Sequence, residues 1–470
     1  MGVSGAAPSG VTKLAVLSNR GPVSFRHNAS GGLEASRASG GMVAVVGPGV
    51  AEYDPLWLAT AISDADREAT AGGHVAAEGF RMRYLPIDQP RFRRYYDVIA
   101  NQTLWFLHHG LWDLPRRPRF DRHWHQAWDD FVTVNRQFAR VAAEELAPGA
   151  TALIHDYQLS LVGAELARLR PDVASCAFVH TPWCHPEELD VLPGPIGDDL
   201  LAGFAGAGAC GFHSHRWAGA FEACCVRRGI ALPEVFVSPA AVDTVQLTAV
   251  AESDACGREL DRLEQQIGDR RLIVRTDRIE LSKNVLRGFH AFDELLTVEP
   301  AWRGRVTFAA FVYPSREGLA EYLGYRHEVE ALAQAINAKW ASADWTPILL
   351  KLDDNYSRSI AALRRYDVLL VNPVRDGLNL VSKEGPLVNE RDGVLLLSPG
   401  AGSWDELGAH AVETHPFDVT GTAEALDMAL TMPAEERAER SQALRKAATA
   451  HTPVEWFADQ LDRARRPRSG

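Results

Sequence analysis

Short apolar runs alternate with longer amphipathic stretches from one end of the 470-residue chain to the other. The runs Leu14–Ser18, Ala152–His155, Cys176–His180 and Val235–Ser238 lack the alternation of a half-exposed strand, so they read as parallel strands buried on both faces. Between the first two, Trp124, Trp128, Phe131, Asn135, Phe138 and Ala142 recur at spacings of three and four, which predicts a helix. Only Asn135 interrupts its apolar stripe. A second series starts after Pro239 with Leu272–Thr276, Val306–Val312, Ile348–Lys351, Val368–Asn372 and Val394–Ser398, and helical periodicity fills Ser315–Lys339. Repeated strand–helix units predict an α/β doubly wound sheet, and two series predict two such domains. Ligands of such sheets collect at the carboxyl ends of strands, so a ligand bound by both series is expected in a cleft between domains.

Composition narrows the function. Apolar residues make up 46% and charged residues 23%, the balance of an ordinary globular protein. The formal charge of −12 argues against a nucleic-acid or anionic-membrane partner, so phosphates must be met by local Arg and Lys clusters. No stretch approaches the ~20 apolar residues of a membrane span, and Met1–Gly10 has no apolar core of a signal peptide. Cys176, Cys184, Cys210, Cys224, Cys225 and Cys256 follow no zinc spacing and read as reduced core residues. These features lead us to expect a cytoplasmic protein.

Polar motifs close several of the predicted strands. Ser18-Asn19-Arg20-Gly21-Pro22 follows the first, and Ser39-Gly40-Gly41-Met42 lies some twenty residues on, where glycines at a helix start let backbone N–H groups approach a phosphate or sugar. Gly31-Gly32 looks instead like a hairpin tip. His155-Asp156-Tyr157-Gln158 and His180-Thr181-Pro182-Trp183 end two further strands, either as capped strand ends or as a sugar pocket. In the second series, Arg278 and Lys283 combine a planar fork with a mobile point charge, suited to a diphosphate unless both are merely solvated. Ser315-Arg316-Glu317 invites the same two readings. The strongest signal is Arg375-Asp376-Gly377-Leu378-Asn379-Leu380-Val381-Ser382-Lys383-Glu384, whose turn opens an apolar helix. Glu384 is expected about two turns in; the competing reading makes Asp376 an ordinary helix cap.

Taken together these motifs resemble the trehalose-6-phosphate synthases, over about Leu14 to Leu461 and in that family's order and spacing. The resemblance implies a GT-B fold of two Rossmann-like domains, an acceptor domain at 1–239 and a nucleotide-sugar domain at 240–450, with 451–470 returning as a helix to the first. It implies that Arg20, Tyr96, Trp105, Asp156 and Arg316 bind the acceptor, glucose 6-phosphate. Donor contacts fall on Gly40, Gly41, Arg278, Lys283, Arg358, Asp376, Gly377, Asn379, Leu380 and Glu384. Arg278, Lys283, Asp156, His180 and Asp376 would act at the reacting centre.

Two departures qualify the likeness. Thr60 stands where many relatives carry a second Trp, and Arg278–Asn284 reads Arg-Ile-Glu-Leu-Ser-Lys-Asn where Arg-Leu-Asp-Tyr-Ser-Lys-Gly is common. The latter looks like the actinobacterial branch, some members of which use GDP-glucose instead of UDP-glucose, so GDP-glucose is expected as donor ahead of UDP-glucose. The implied reaction is a retaining glucosyl transfer by front-side displacement, without cofactor or metal, because the Arg–Lys pair takes the place of a cation. Asp353-Asp354 is the one candidate metal pair. A pseudo-glycosyltransferase joining a cyclitol nucleotide to an amino-cyclitol phosphate, a glucosylglycerol-phosphate synthase and a non-catalytic sugar-phosphate sensor are the alternatives. Homo-oligomer formation is left open.

Overall fold

The computed structural model describes residues 11–28, 31–37, 41–316 and 318–466. The chain divides into two compact units, Met1–Ala240 with Thr452–Gly470, and Ala241–His451. Unit 1 contains strands β1 (Thr12–Leu17), β2 (Val23–His27), β3 (Leu33–Arg37), β4 (Leu56–Ala61), β5 (Val75–Ala77), β6 (Phe80–Pro86), β7 (Leu146–His155), β8 (Ala174–Val179), β9 (Ala209–Phe212) and β10 (Glu234–Val237). Eight of them form one sheet in the order β10-β9-β8-β7-β1-β4-β6-β5, parallel except for β5. β2 and β3 pair as a separate antiparallel hairpin with Gly31 and Gly32 at its turn, as their composition suggests.

The predicted strands are all present, and β4, β6 and β9 join them. Arg81 and Arg83 interrupt the apolar run of β6, and β9 is only four residues long and carries small residues that packing explains. A Cβ on Gly211 of β9 would lie 2.4 Å from the Phe178 ring, so only glycine lets β9 close on β8. The helix Arg122–Glu145 matches its predicted stripe. Asn135, the one polar residue in it, is fully buried; it donates to the carbonyls of Phe131 (3.0 Å) and Gln158 (3.2 Å) and accepts from Leu161 N–H (3.0 Å). It thereby satisfies the backbone of the turn that follows β7, which an apolar residue would leave unpaired at a cost of about 1–3 kcal/mol per group. The last helix, Pro453–Ala464, packs in the same unit, where Trp456 Nε1 donates to Ser238 O at 3.0 Å.

Unit 2 contains β11 (Arg271–Ile279), β12 (Val306–Pro314), β13 (Ile348–Lys351), β14 (Val368–Val371), β15 (Val394–Leu397) and β16 (Val412–Glu413), all parallel in the order β13-β12-β11-β14-β15-β16. The helix expected from Ser315 begins only at Ala320, because Arg316 has φ +48, outside the helical range. All six cysteines are buried and free. Among the described residues no helix is long and apolar enough to cross a membrane.

Strand order fixes where ligands can gather. In unit 1 the chain winds outward from β1 through β4 and β6, then returns to place β7 on the other side of β1. In unit 2 the same reversal falls between β11 and β14. The connections diverge at such switch points and leave a crevice beyond the carboxyl ends of the two strands.

Candidate functional site

At the switch point of unit 1, Arg20 follows β1 and Asp156 follows β7. Ser18 Oγ accepts from Trp57 Nε1 (2.7 Å) and donates to Arg20 O (2.6 Å), and Asn19 O accepts from Thr60 N–H (3.1 Å). The turn is therefore held by β4, while the Arg20 side chain stays exposed with no ion-pair partner among the described residues. Thr60 is buried and its hydroxyl lies 3.4 Å from Asn19 Oδ1, so it shapes the turn. Asp156 has φ 73 and ψ 168, a region almost reserved for glycine and costly by about 1–3 kcal/mol for other residues. Its Oδ1 accepts from His180 N–H at 3.2 Å, which brings the two strand-end motifs together.

Tyr96 and Trp105 lie on a wide π-helix spanning Arg94–Trp105. Such a helix bonds i to i+5, so nine residues make about two turns and return to the same face; in an α-helix they would make about two and a half. Tyr96 stacks on Phe92 at 5.3 Å and Trp105 on His109 at 3.8 Å. The helix is tied to the switch point by Tyr95, whose hydroxyl donates to Asn19 Oδ1 (3.0 Å), and by Tyr157, whose hydroxyl donates to Asn101 Oδ1 (3.3 Å).

The sequence alone did not disclose a histidine chain beneath these residues. Ala240 N–H donates to His213 Nδ1 at 3.2 Å, His213 Nε2 lies 3.2 Å from His180 Nδ1, and His180 Nε2 lies 3.0 Å from His155 Nδ1. A backbone N–H can only donate, so the chain requires protons on Nε2 of His213 and His180 when the rings are neutral. Burial pulls His180 down to about 3 and His155 well below the ordinary histidine value, which keeps both neutral. Both ring nitrogens of His180 are thus engaged by other histidines. Any ligand contact it makes while they stay so must come from its main chain or ring carbons.

The switch point of unit 2 is built from ions. Lys283 Nζ bonds Asp376 Oδ2 at 2.5 Å and lies 3.9 Å from Asp277 Oδ1. Burial pulls the Lys283 ammonium down, but Asp376 and Asp277 outweigh it and its pKa ends above the ordinary lysine value. Arg275, fully buried, grips the turn from behind: it donates to Lys283 O (2.5 Å), Asn284 O (3.3 Å), Asn372 Oδ1 (2.7 Å) and Asp277 Oδ2 (2.9 Å). A charge in a buried strand run was the signal that could have exposed it. Asn284 has φ 61, which explains the departure from the common Gly there: Asn also tolerates this conformation, and its side chain donates to Asn372 O at 2.9 Å.

After β14, the Asp376 backbone is laced to the loop after β15: Asp376 N–H bonds Gly400 O (2.9 Å) and Gly402 N–H bonds Asp376 O (3.1 Å). A Cβ on Gly402 would lie 1.9 Å from Gly377 O, so this approach needs glycine. Asp376 does not cap the helix, which starts at Val381; Asn379, at φ 83, accepts from Ser382 N–H through Oδ1 (3.0 Å) and donates to Asp376 Oδ2 (3.1 Å). Leu380 precedes the first turn, where helix amides are left over for a ligand. Glu384 therefore lies in that first turn and not two turns in. Burial alone raises its carboxyl to about 7.

The remaining predicted residues are more scattered. Arg316 donates to Glu280 Oε1 at 2.6 Å, which places it beside Arg278. Arg358 holds Asp353 through two bonds of 2.8 Å and approaches Glu259 at 3.5 Å. That engages half of the Asp353-Asp354 pair, and no cluster of three or more metal-ligating side chains occurs among the described residues. Gly41 opens the helix Gly41–Tyr53, whereas Gly40 lies outside the described residues.

The sequence model of Glycosyltransferase family 20 matches residues 12–466. The chain belongs to that family. It is an enzyme, a glycosyltransferase, and its fold is GT-B. The trehalose-6-phosphate synthase of Mycolicibacterium smegmatis is 30% identical over 480 residues, covering 97% of this chain and 92% of that one. Among solved structures, an alpha,alpha-trehalose-phosphate synthase (UDP-forming) from Burkholderia vietnamiensis is 28% identical with a TM-score of 0.84, covering 97% of this chain and 100% of its own. An E. coli structure described as trehalose-6-phosphate bound with UDP-2-fluoro glucose is 25% identical with a TM-score of 0.84, with the same coverage.

Proposed function

We propose that this enzyme is a trehalose-6-phosphate synthase, which transfers glucose from a nucleoside diphosphate to the C1 hydroxyl of glucose 6-phosphate with retention. The observation that carries the proposal is the pairing of Lys283 with Asp376, which joins the end of β11 to the loop after β14, with Arg278 close by in β11 and the start of a helix at Leu380. In the reaction the bond from the anomeric carbon to the diphosphate oxygen breaks and its electron pair stays with the diphosphate. Arg278, Lys283 and the amides of that helix start stabilise that charge. The acceptor oxygen bonds the same face, and its proton passes to the departing phosphate. Asp376 takes donor hydroxyls, Asn379, Leu380, Gly377, Gly41 and Arg358 contact the nucleotide, and Glu384 takes the ribose.

Unit 1 supplies the acceptor's ligands on this reading: Arg20 for the phosphate, Tyr96 and Trp105 for the sugar faces, and Asp156 with the His180 main chain at the reacting hydroxyls. Arg316 is a second phosphate ligand. The finer proposal concerns the base: the Arg278–Asn284 departures lead us to GDP-glucose ahead of UDP-glucose, although relatives in Burkholderia and Dictyostelium carry UDP-forming names. A panel of nucleotide sugars crossed with acceptors, read by released nucleotide and disaccharide phosphate, tests both levels. Faster turnover of UDP-glucose would overturn the base assignment alone. Turnover only of a cyclitol nucleotide, or only onto glycerol phosphate, would overturn the function.

A further inference from the structure

Glu280 stands two residues beyond Arg278, and its side chain is completely buried. A buried carboxylate next to proposed phosphate ligands demands a reason, because a charge taken out of water is costly unless it is compensated. Its Oε1 accepts from Arg316 Nη1 at 2.6 Å and from Ser315 Oγ at 2.9 Å, and lies 3.1 Å from Arg278 Nη1. Its Oε2 meets no hydrogen-bond partner among the described residues.

The sheet creates this convergence. β11 and β12 are parallel neighbours, with Arg278 opposite Tyr313 and Ile279 opposite Pro314. Ser315 and Arg316 therefore leave β12 beside the end of β11. Arg316 has φ +48 and its guanidinium also lies 5.6 Å over the Tyr322 ring, so it is held from two sides. Arg278 keeps 41% of its side chain accessible to solvent. Burial would raise the Glu280 carboxyl, but Arg278, Arg316 and Lys283 hold it down at about 2, so it stays ionised throughout the working range. A guanidinium has five N–H groups, and one contact with Glu280 leaves most of the Arg278 fork for a ligand.

We infer that Glu280 is a positioning residue that holds Arg278 and Arg316 on one carboxylate oxygen, and so fixes the spacing between the cation for the donor diphosphate and the cation for the acceptor phosphate. The inference rests on the roles proposed for those two arginines. Without the carboxylate, two adjacent guanidinium groups repel and lose their common anchor. With it, both are set before either substrate arrives, which is what makes a charged group effective in a transition state. Removing the negative charge also makes the neighbourhood more attractive to anions, so a loss of positioning and a loss of binding separate in opposite directions.

The test compares Glu280→Gln with Glu280→Asp, measuring kcat, both KM values, nucleoside diphosphate affinity by calorimetry, and thermal unfolding. Glu280→Gln should lower kcat at least tenfold while nucleoside diphosphate binds as tightly as before or more so. Glu280→Asp keeps the charge and should recover most of that loss. In an Arg316→Ala background, Glu280→Gln should cost much less than it does in the unmodified enzyme, since the effect acts through the arginine. Unchanged kcat in Glu280→Gln, an equal loss in both variants, or full additivity with Arg316→Ala would overturn the inference. If Glu280→Gln fails to fold, Glu280→Ala is read in the same way against Glu280→Asp, and a kcat equal to that of the unmodified enzyme overturns the inference. Full activity in both Arg278→Ala and Arg316→Ala would instead sink the functional reading on which the inference stands.

Discussion

The two switch points solve the same problem, polar groups at the edge of a buried sheet, by different chemistry. In unit 1 the groups are mostly neutral and passed from one to the next: Tyr95 to Asn19, His213 to His180 to His155, His180 N–H to Asp156. The cation there, Arg20, stands exposed at the rim. In unit 2 the groups are ions matched against one another: Lys283 with Asp376 and Asp277, Arg278 and Arg316 with Glu280, Arg275 with Asp277. Neutral networks suit an uncharged sugar, whose hydroxyls exchange hydrogen bonds without a large desolvation change. Paired ions suit a diphosphate, because its charge can take over from a carboxylate already in place. On the proposed function, the difference matches the sugar ring of the acceptor in unit 1, with Arg20 left for its phosphate, and the donor diphosphate in unit 2.

The sharpest way to break this comparison is to remove the ions. Arg278→Ala and Lys283→Ala should each lower kcat by roughly 10²-fold or more, from the ~2.7–4 kcal/mol typical of one lost preorganised donor. Lys283→Ala should also lower stability by about 3 kcal/mol, since Asp376 loses its ion-pair partner, whereas half-exposed Arg278 should cost less. Steady-state kinetics and thermal unfolding read both effects, and normal turnover in both variants would remove the diphosphate assignment.

Next in size is the rim cation of unit 1. Arg20→Ala should raise KM for glucose 6-phosphate by roughly 10–100-fold, as expected for a charge-assisted contact of ~1.5–3 kcal/mol, and leave donor KM alone. Non-phosphorylated glucose should react poorly with the unmodified enzyme. A shift in donor KM instead would mean that the two units had been assigned the wrong way round.

A smaller effect sharpens the comparison through pH. Glu384 is held at about 7 by burial, so in the ligand-free protein it is increasingly protonated below that value. On the proposed function it takes the ribose as a carboxylate, so donor affinity should rise several-fold as pH rises through about 7. Stability runs the other way. The folded state binds a proton that the unfolded chain, at the usual 4.5, has released, so the contribution of Glu384 falls as pH climbs from there to 7. Glu384→Gln should flatten both profiles; a variant whose donor affinity still rose with pH would exclude Glu384 as the source.

The smallest effect concerns backbone strain in unit 1. Both Asp156→Gly and Asp156→Ala lose the carboxylate, but only glycine adopts φ 73, ψ 168 freely. The Gly variant should therefore be more stable than the Ala variant by about 1 kcal/mol, reversing their usual order. Denaturant unfolding of the pair decides it, and the usual order would show that the turn relaxes.

The sequence by itself determined the elements and the addresses of the chemistry. Buried strands announce themselves by apolar runs and helices by their period, and both signals are local. Arg20, Asp156, His180, Arg278 and Asp376 could be placed at strand ends for the same reason. The order of the strands was not legible, and that order alone brings β7 beside β1 and β14 beside β11. Lys283 meets Asp376 across 93 positions and Arg275 meets Asn372 across 97, separations over which no periodicity carries information. The strained Asp156, the wide helix that turns Tyr96 and Trp105 to one face, and the histidine chain fixed by Ala240 N–H all arise in the same way. Each depends on which backbone groups remain to be satisfied once distant strands have packed, and only tertiary structure decides that.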